Sequence, residues 1–238
     1  MQGGHQQQAY DRGVTVFSPD GRLYQVEYAR EAVKQGSAAV GIKTGEGVVL
    51  AVDIRLRSKL MEAKSVEKLH KADEHVGIAT AGHVADARQL VDYARRLAQT
   101  EQLRYEEPGS VETITKAVTD HVQQTTQTGG ARPYGAALLI AGVDNDGTPR
   151  LFEADPSGTP VEWRAVAVGG GKNKAQQHLE DEYEEDADLD DAISLAIDTI
   201  GVTREDEIEA DSVGVAVVES EDQRFRQLST ETIADHIA

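Results

Sequence analysis

Strands and helices are predicted to come in groups along this sequence, and that grouping restricts the fold more than any single residue does. Apolar runs rich in β-branched residues predict strands, and apolar residues three or four positions apart predict helices. The predicted order is strands at 38–43, 48–53 and 75–80, helices at 84–98 and 111–122, strands at 135–143, 150–153 and 161–168, helices at 174–183 and 189–200, strands at 213–218 and 224–227, and a helix at 230–237.

The connections between the predicted strands indicate how the sheets are built. Short turns such as Gly45–Gly47 and Asp144–Gly147 favour hairpins, and hairpins imply antiparallel pairing. Helices that come in pairs, instead of alternating singly with strands, argue against a doubly wound parallel sheet. We therefore expect an α+β fold, a four-layer αββα sandwich in which two stacked sheets carry the helix pairs on their outer faces.

The stretch from Tyr10 to Gly36 precedes this pattern and differs from it. A polar turn, Ser18-Pro-Asp-Gly21, is followed by apolar residues at helical spacing that include Leu23, Val26 and Val33. Gly36 is expected to end this helix in a left-handed conformation. The chain should thus begin with an N-terminal helical extension whose apolar stripe lies on the sandwich, preceded by a polar arm.

Several motifs in this stretch and beyond it resemble the proteasome α subunits. The resemblance rests on Tyr10-Asp-Arg12, Phe17-Ser-Pro-Asp-Gly-Arg22, Gln25-Val-Glu-Tyr28, Ser65-Val-Glu-Lys68, Gly82-His-Val-Ala-Asp-Ala-Arg88, Gly130-Ala-Arg-Pro-Tyr-Gly135 and Asp155-Pro-Ser-Gly158. The first three are long and nearly gapless in their spacing. The resemblance thins after about residue 186 and is strongest to the archaeal type.

This resemblance implies an architecture and a function. It implies the N-terminal nucleophile hydrolase fold, with residues 1–36 as a gating arm and α-type helix and residues 37–238 as the sandwich domain. It implies a non-catalytic subunit of the 20S core that forms heptameric rings with other α subunits and caps rings of β subunits. Such a ring gates the passage of unfolded protein substrates and docks the C-terminal tails of an AAA ATPase, which supports ATP-dependent degradation in the cytoplasm. No cofactor is implied.

The resemblance also assigns roles to individual residues. Tyr10, Asp11, Pro19 and Tyr28 match the residues that hold the gate open in this family. Lys68 matches the lysine that binds the carboxylate terminus of the activator tail, and Leu23 and Gly82 match residues that line the same intersubunit pocket. The alternative for Lys68 is a solvated surface lysine.

Ser37 is the candidate for a different function. In the catalytic branch of the fold, a Thr, Ser or Cys heads the first strand and its own α-amino group acts as the base. Gly36-Ser37 stands at that place, and Asp53 and Lys68 resemble the supporting acid and lysine. A self-processing hydrolase acting through Ser37 would need the preceding 36 residues removed. A ring without any protease partner is a further alternative.

Composition excludes several classes of function. The chain has 24 basic and 42 acidic residues, a formal net charge of -18. This argues against non-specific binding to nucleic acid or to an anionic membrane, and suits a halophilic, high-salt environment in which ions screen repulsion. An acidic patch at 180–191 is interpreted as part of that solvated surface, with a cation or partner site as the alternative.

The sequence lacks the motifs of two kinds of ligand site, metal sites and phosphate-binding loops. There are no cysteines and no HExxH pair, so no metal site is expected. The glycines of Gly169-Gly-Gly-Lys172 fail the Walker A pattern, because Val166 stands at the first glycine position and Asn173 at the Ser/Thr position. We expect a tight strand-to-helix turn there.

Overall fold

Two five-stranded antiparallel sheets form the centre of the structure, a computed structural model that describes residues 15–56, 58, 60–62 and 65–237. The helices are α1 Tyr24–Lys34, α2 Val84–Tyr105, α3 Val111–Gln127, α4 Lys172–Glu182, α5 Leu189–Gly201 and α6 Thr230–Asp235. The strands are β1 Ala39–Lys43, β2 Gly47–Asp53, β3 Leu69–Asp73, β4 Val76–Gly82, β5 Ala136–Val143, β6 Pro149–Ala154, β7 Pro160–Glu162, β8 Ala165–Val168, β9 Val213–Glu219 and β10 Phe225–Gln227.

The strand order confirms the expected sandwich. The first sheet runs β10-β9-β2-β1-β8 and the second runs β3-β4-β5-β6-β7. Every neighbouring pair is antiparallel. Helices α4 and α5 cover the outer face of the first sheet, and α2 and α3 cover the outer face of the second. The layers therefore follow the order αββα.

Alternating side chains on the central strands build separate cores on the two faces of each sheet. On β5, Leu138 and Ile140 point to α2 and α3, whereas Leu139 points between the sheets. The same alternation puts Val49 against α5 and Leu50 between the sheets. Because both faces are covered, all eight residues of β5 are buried, which explains why its sequence reads as one apolar run.

Helix α1 lies against β4 and β5 at one end of the sandwich. Its buried residues are Val26, Ala29 and Val33, which confirms the predicted apolar stripe. Val33 reaches the core between the two sheets. The N-terminal helical extension is therefore packed on the sandwich and contributes to its hydrophobic core.

One strand prediction was wrong, and one strand was missed. The single strand expected over 161–168 is two strands, β7 in the second sheet and β8 in the first, so the chain crosses between sheets at Trp163 and Arg164. Strand β3 was not predicted. Only His70 and Ala72 of its five residues are buried, and β3 is an edge strand, so it lacks the apolar run expected of a central one.

Gly36 was predicted to end α1 in a left-handed conformation, and this was also wrong. The helix ends at Gln35 with right-handed angles (φ -77, ψ -16), and Gly36 is not among the glycines with positive φ. A Cβ on Gly36 would lie 2.3 Å from the backbone nitrogen of Gly82. A glycine is therefore needed at position 36 because the backbones of Gly36 and Gly82 approach each other too closely for any side chain.

We expect Gly36→Ala to destabilise the chain, because the added methyl group forces Gly36 and Gly82 apart. Overpacking of this kind typically costs ~1–3 kcal/mol. Gly45→Ala is the matched control, since nothing lies within 4 Å of a Cβ at that position. Denaturant unfolding of the two variants beside the parent chain measures the difference. Equal midpoints for the two variants would contradict this account of Gly36.

Candidate functional site

Four backbone segments meet without intervening side chains where α1 ends. We call this the glycine junction, formed by Gly36, Gly82, Gly135 and Gly170. A Cβ on Gly82 would lie 2.4 Å from the oxygen of Gly135, and the amide of Gly170 donates to the oxygen of Gly36 at 2.7 Å. The end of α1 is therefore held directly by the ends of β4 and β8 and the start of β5.

Lys68 lies beside the glycine junction and is buried, with 9% of its surface exposed. Its Nζ donates to Ser37 Oγ at 2.8 Å, Ala38 O at 2.9 Å, Ser37 O at 3.0 Å and Asp53 O at 3.2 Å. These contacts rule out a solvated surface lysine. Burial lowers the pKa of Lys68 to about 7, although the negative charge of Asp53 opposes that shift.

Asp53 ends β2 with a carboxylate that is completely buried. Its Oδ2 lies 2.7 Å from Arg55 Nε, and its Oδ1 lies 3.0 Å from Arg204 NH1. A buried carboxylate requires such partners, because desolvation without them is costly. The two guanidinium groups thus hold the carboxylate, while the backbone oxygen of Asp53 faces Lys68.

Ser37 lies two residues before β1, and its side chain is engaged in hydrogen bonds within the chain. Its Oγ donates to Asp53 O at 2.8 Å and accepts from Lys68. Its nitrogen belongs to the peptide bond with Gly36, so it has no free amine to act as the base that this chemistry needs. The side-chain arrangement resembles a catalytic site, but the base is missing.

The three residues assigned to the activator pocket line three different cavities of the single chain. Gly82 lines an open cavity of about 1040 Å³, Lys68 a groove of about 650 Å³ beside β3, and Leu23 a cavity of about 320 Å³. Leu23 and Gly36 flank opposite ends of α1, which an α-helical rise of ~1.5 Å per residue puts ~20 Å apart. One chain alone therefore does not bring the three together.

Two of the four predicted gating residues fall within the described ranges. Pro19 is exposed in a turn closed by the amide of Gly21, which donates to Ser18 O at 2.9 Å. Gly21 has a positive φ of 74°, as a turn residue of this kind requires. Tyr28 is 52% exposed on α1. Tyr10 and Asp11 lie outside the described residues.

Sequence reasoning missed two ion pairs that fix the surroundings of α1. Arg30 on α1 lies 2.7 Å from the carboxylate of Asp155. Asp86, which is 4% exposed, accepts from Arg132 at 2.5 and 2.8 Å and from the amide of Gly135 at 2.8 Å. Except for Arg30, these residues lie in the motifs that carry the family resemblance. The motifs therefore identified the segments that contain the charged residues, but not which residues pair with each other.

The ion pair of Asp86 also determines its ionisation. Burial on its own would raise the pKa of Asp86, but the hydrogen bonds from Arg132 and Gly135 outweigh burial and lower the pKa below its usual value. The carboxylate is therefore charged at neutral pH, and it fastens the first turn of α2 to the start of β5.

Neither a metal centre nor a membrane segment is found in the described part of the chain. Those residues contain no group of three or more His, Asp or Glu side chains placed to hold a metal ion. No helix among them combines the length and apolar character needed to cross a bilayer.

Comparison with known proteins gives consistent matches over the whole chain. A family model for proteasome subunits matches residues 33–218, and a second model, for the N-terminal signature of the A-type proteasome subunits, matches residues 10–32. Proteasome α subunit 1 of Haloferax volcanii is 61% identical over 237 residues, covering 100% of this chain and 94% of the relative. Proteasome α subunit 1 of Haloarcula marismortui is 60% identical (100% and 91% covered), and proteasome α subunit 2 of the same organism is 57% identical (98% and 96%).

We expect the bond between Gly36 and Ser37 to stay intact in the purified protein. The Ser37 hydroxyl is held by the carbonyl of Asp53, and the Gly36 oxygen is held by the amide of Gly170. Intact-mass measurement after prolonged incubation should find no fragment that begins at Ser37. Ser37→Ala is the control, and a fragment present in the parent but missing in this variant would establish self-processing instead.

Proposed function

Because the chain belongs to the proteasome subunit family and carries its α-type N-terminal signature, we propose that it is a non-catalytic α subunit of the 20S core. In this function it forms the outer heptameric ring with other α subunits and caps rings of β subunits. The ring controls the passage of unfolded protein substrates and docks an AAA ATPase. It works in the cytoplasm in ATP-dependent protein degradation.

The observation that carries this proposal is the packing of α1 in front of Ser37. Helix α1 is buried through Val26, Ala29 and Val33, and the chain continues from its end at Gln35 through Gly36 into the peptide bond of Ser37. An N-terminal nucleophile needs a free amine at that position. Residues 1–36 then act as gating arm and helix, and residues 37–238 act as the sandwich domain that supports them.

The exposure of the turn and helix supports a gating role between neighbouring copies. Pro19, in the turn before α1, and Tyr28, on α1, both present exposed surface. Exposed aromatic and proline surfaces can pack against a neighbouring copy of the chain. In the proposed open state, Tyr10 and Asp11 of one copy pack against Pro19 and Tyr28 of its neighbour.

The spacing of the three docking residues supports a pocket built by two copies. Leu23 lies ~20 Å along α1 from Gly36, by the helical rise. At the other end of that helix, Gly82 belongs to the glycine junction, and Lys68 contacts Ser37, which directly follows Gly36. A pocket that contains all three residues therefore takes Leu23 from one copy and Gly82 and Lys68 from the next.

Affinity purification tests the proposal as a whole. A tagged full-length chain should form rings without peptidase activity when purified alone, and should acquire activity with co-purifying β subunits. A ring that never recruits a protease partner would support the alternative of a self-assembling ring. Activity that resides in the isolated ring and is abolished by Ser37→Ala would support the hydrolase alternative.

Docking of the ATPase tail is expected to weaken as pH rises through 7. Lys68 binds a carboxylate only while protonated, and its pKa is lowered to about 7. Its charged fraction therefore falls about tenfold per pH unit above 7. Fluorescence anisotropy of a labelled tail peptide on assembled rings, between pH 6 and 8.5, should follow that fall.

Lys68→Met keeps much of the length of the side chain and has no charge at any pH, and its rings serve as the control for this titration once gel filtration shows that they assemble like the parent. Removing one partner of a desolvated charge pair typically costs ~2–5 kcal/mol. Rings carrying Lys68→Met should bind the peptide weakly and independently of pH. If the parent ring binds with the same affinity throughout the range, Lys68 does not hold the carboxylate.

Deleting residues 1–13 should raise the rate of peptide hydrolysis by the assembled particle. The arm is polar, and its sequence has no apolar periodicity to hold it on the core. The rate should rise without any change in the reaction of an active-site label with the β subunits. An unchanged hydrolysis rate would show that the arm does not restrict passage.

A further inference from the structure

The ammonium group of Lys68 is buried beside oxygens that carry no charge. Its Nζ contacts the hydroxyl of Ser37 and the backbone oxygens of Ser37, Ala38 and Asp53, at 2.8–3.2 Å. These are the oxygen partners found for it among the described residues. A buried lysine is rare in proteins unless a carboxylate pairs with it. The lack of such a partner therefore has to follow from the way the surrounding charges are arranged.

The carboxylate of Asp53 is the candidate for that partner, and it is bound elsewhere. Its negative charge favours the protonated form of Lys68 and so raises the pKa of the lysine against the effect of burial. Its Oδ2, however, lies 2.7 Å from Arg55 Nε, and its Oδ1 lies 3.0 Å from Arg204 NH1. Only the backbone oxygen of Asp53 contacts Lys68. Both carboxylate oxygens are thus taken by guanidinium groups.

Arg55 acts on Lys68 in two ways. It is 54% exposed and stays charged at any physiological pH. It holds the Asp53 carboxylate, and its own positive charge disfavours a second cation close by. Burial is the largest cause that lowers the pKa of Lys68, and the positive charge of Arg55 lowers it further. The two effects of Arg55 therefore have the same direction.

The other titratable groups near Lys68 line the groove beside β3, and they are neutral, exposed or paired. They are Glu67, His70, Lys71, Arg95 and Asp211. Burial lowers the pKa of His70 below its usual value. The two cations of the groove have carboxylate partners in Glu74 and Asp92, and its two acids are exposed to screening solvent. The Asp53–Arg55 pair is thus the charged neighbour that acts most directly on Lys68.

We propose that Arg55 is a positioning residue that holds the Asp53 carboxylate away from Lys68 and thereby lets the lysine lose its proton near neutral pH. The loss of that proton removes the charge that the proposed docking of a carboxylate requires. Arg55 therefore sets the pH above which docking weakens. This inference rests on the proposed docking function and assigns its regulation to a residue that is not one of the three docking residues.

Replacing Arg55 should shift the pH dependence of docking. On Arg55→Gln rings, the pH at which binding of a labelled tail peptide falls to half should rise by ~1 unit or more, the effect that one nearby charge typically has on a pKa. Arg55→Lys keeps the positive charge and should retain the parent profile. Arg164→Gln is the matched control, because it also removes a cation from an ion pair, with Glu185. Arg164 lies at the opposite end of β1, where its carbonyl accepts from the amide of Lys43.

Asp53→Asn tests the sign of the effect. It keeps the size of the side chain and removes the charge that favours protonated Lys68. The pH of half-binding should therefore fall, in the direction opposite to the shift for Arg55→Gln. A general loosening of the cluster would instead admit water and raise the pKa of Lys68 in both variants. Gel filtration establishes beforehand which variants assemble like the parent.

The pH dependence of unfolding is a second readout, and it needs no peptide. Between its lowered pKa of about 7 and the ordinary value of 10.5, Lys68 holds a proton in the unfolded chain but not in the folded one. Stability therefore rises with pH in this window, and one such proton changes the folding equilibrium constant about tenfold per pH unit. Denaturant midpoints should show that Arg55→Gln moves the onset of this rise to higher pH. Lys68→Met should remove the contribution altogether.

The outcomes separate this inference from the proposed function. Docking and unfolding profiles that are alike in Arg55→Gln and Arg164→Gln overturn the role of Arg55. An Arg55→Lys profile like that of Arg55→Gln also overturns it, as do shifts in the same direction for Arg55→Gln and Asp53→Asn. Parent rings that bind no peptide at any pH, together with a shifted unfolding profile in Arg55→Gln, overturn docking and support the control of Lys68 by Arg55.

Discussion

The buried ammonium of Lys68 is the interaction on which the N-terminal half of the structure depends. It joins the start of β1, through Ser37 and Ala38, to the end of β2, through Asp53. Burying an ammonium costs several kcal/mol unless its donors are satisfied. Hydrogen bonds to a charged group contribute ~1.5–3 kcal/mol each, so the surrounding oxygens offset part of that cost, and the pKa of Lys68 still falls to about 7 because of burial. The end of α1 is fixed because Ser37 follows it closely in the chain and is also a ligand of this ammonium.

On the proposed function, the same cluster keeps an arrangement like that of a catalytic site for a structural purpose. A serine, a lysine and an aspartate occupy the positions of a nucleophile and its helpers, yet each has a structural partner. Asp53 is held by Arg55 and Arg204, and Ser37 lacks a free amine. Function on a given fold is decided by the site and not by the architecture. On the proposed function, the continuous peptide bond between Gly36 and Ser37 is what separates this fastening point from an active site.

The sequence predicts a feature of this structure well when the residues that determine the feature lie close together along the chain, and poorly when they lie far apart. Periodicity located α2, α3 and β5 well, because each buries a regular stripe or an entire run of residues. The crossing at Trp163 was missed because β7 and β8 are nearly contiguous in sequence but pair in different sheets. Gly36 was misinterpreted because its requirement comes from Gly82, which is distant in the chain. The candidate site was predicted only in part, for the same reason. Motif resemblance identified Lys68, but its buried position depends on the carbonyl groups of Ser37, Ala38 and Asp53, which lie at least 15 residues away in the sequence.

The distribution of ion pairs explains how such an acidic chain can keep its N-terminal half fixed in concentrated salt. Exposed pairs such as Arg164–Glu185, with both side chains about two-thirds exposed, contribute only ~0–1 kcal/mol and are screened further by salt. The carboxylates of Asp53 and Asp86 are almost fully buried, although Arg55 and Arg132, which face them, are 54% and 63% exposed, and partly buried pairs are screened less than exposed ones. Salt therefore reduces repulsion among surface carboxylates while the internal pairs persist. The buried carboxylates of Asp53, close to the end of α1, and of Asp86, in the first turn of α2, belong to the less screened class, so both segments stay fastened where surface electrostatics are weak.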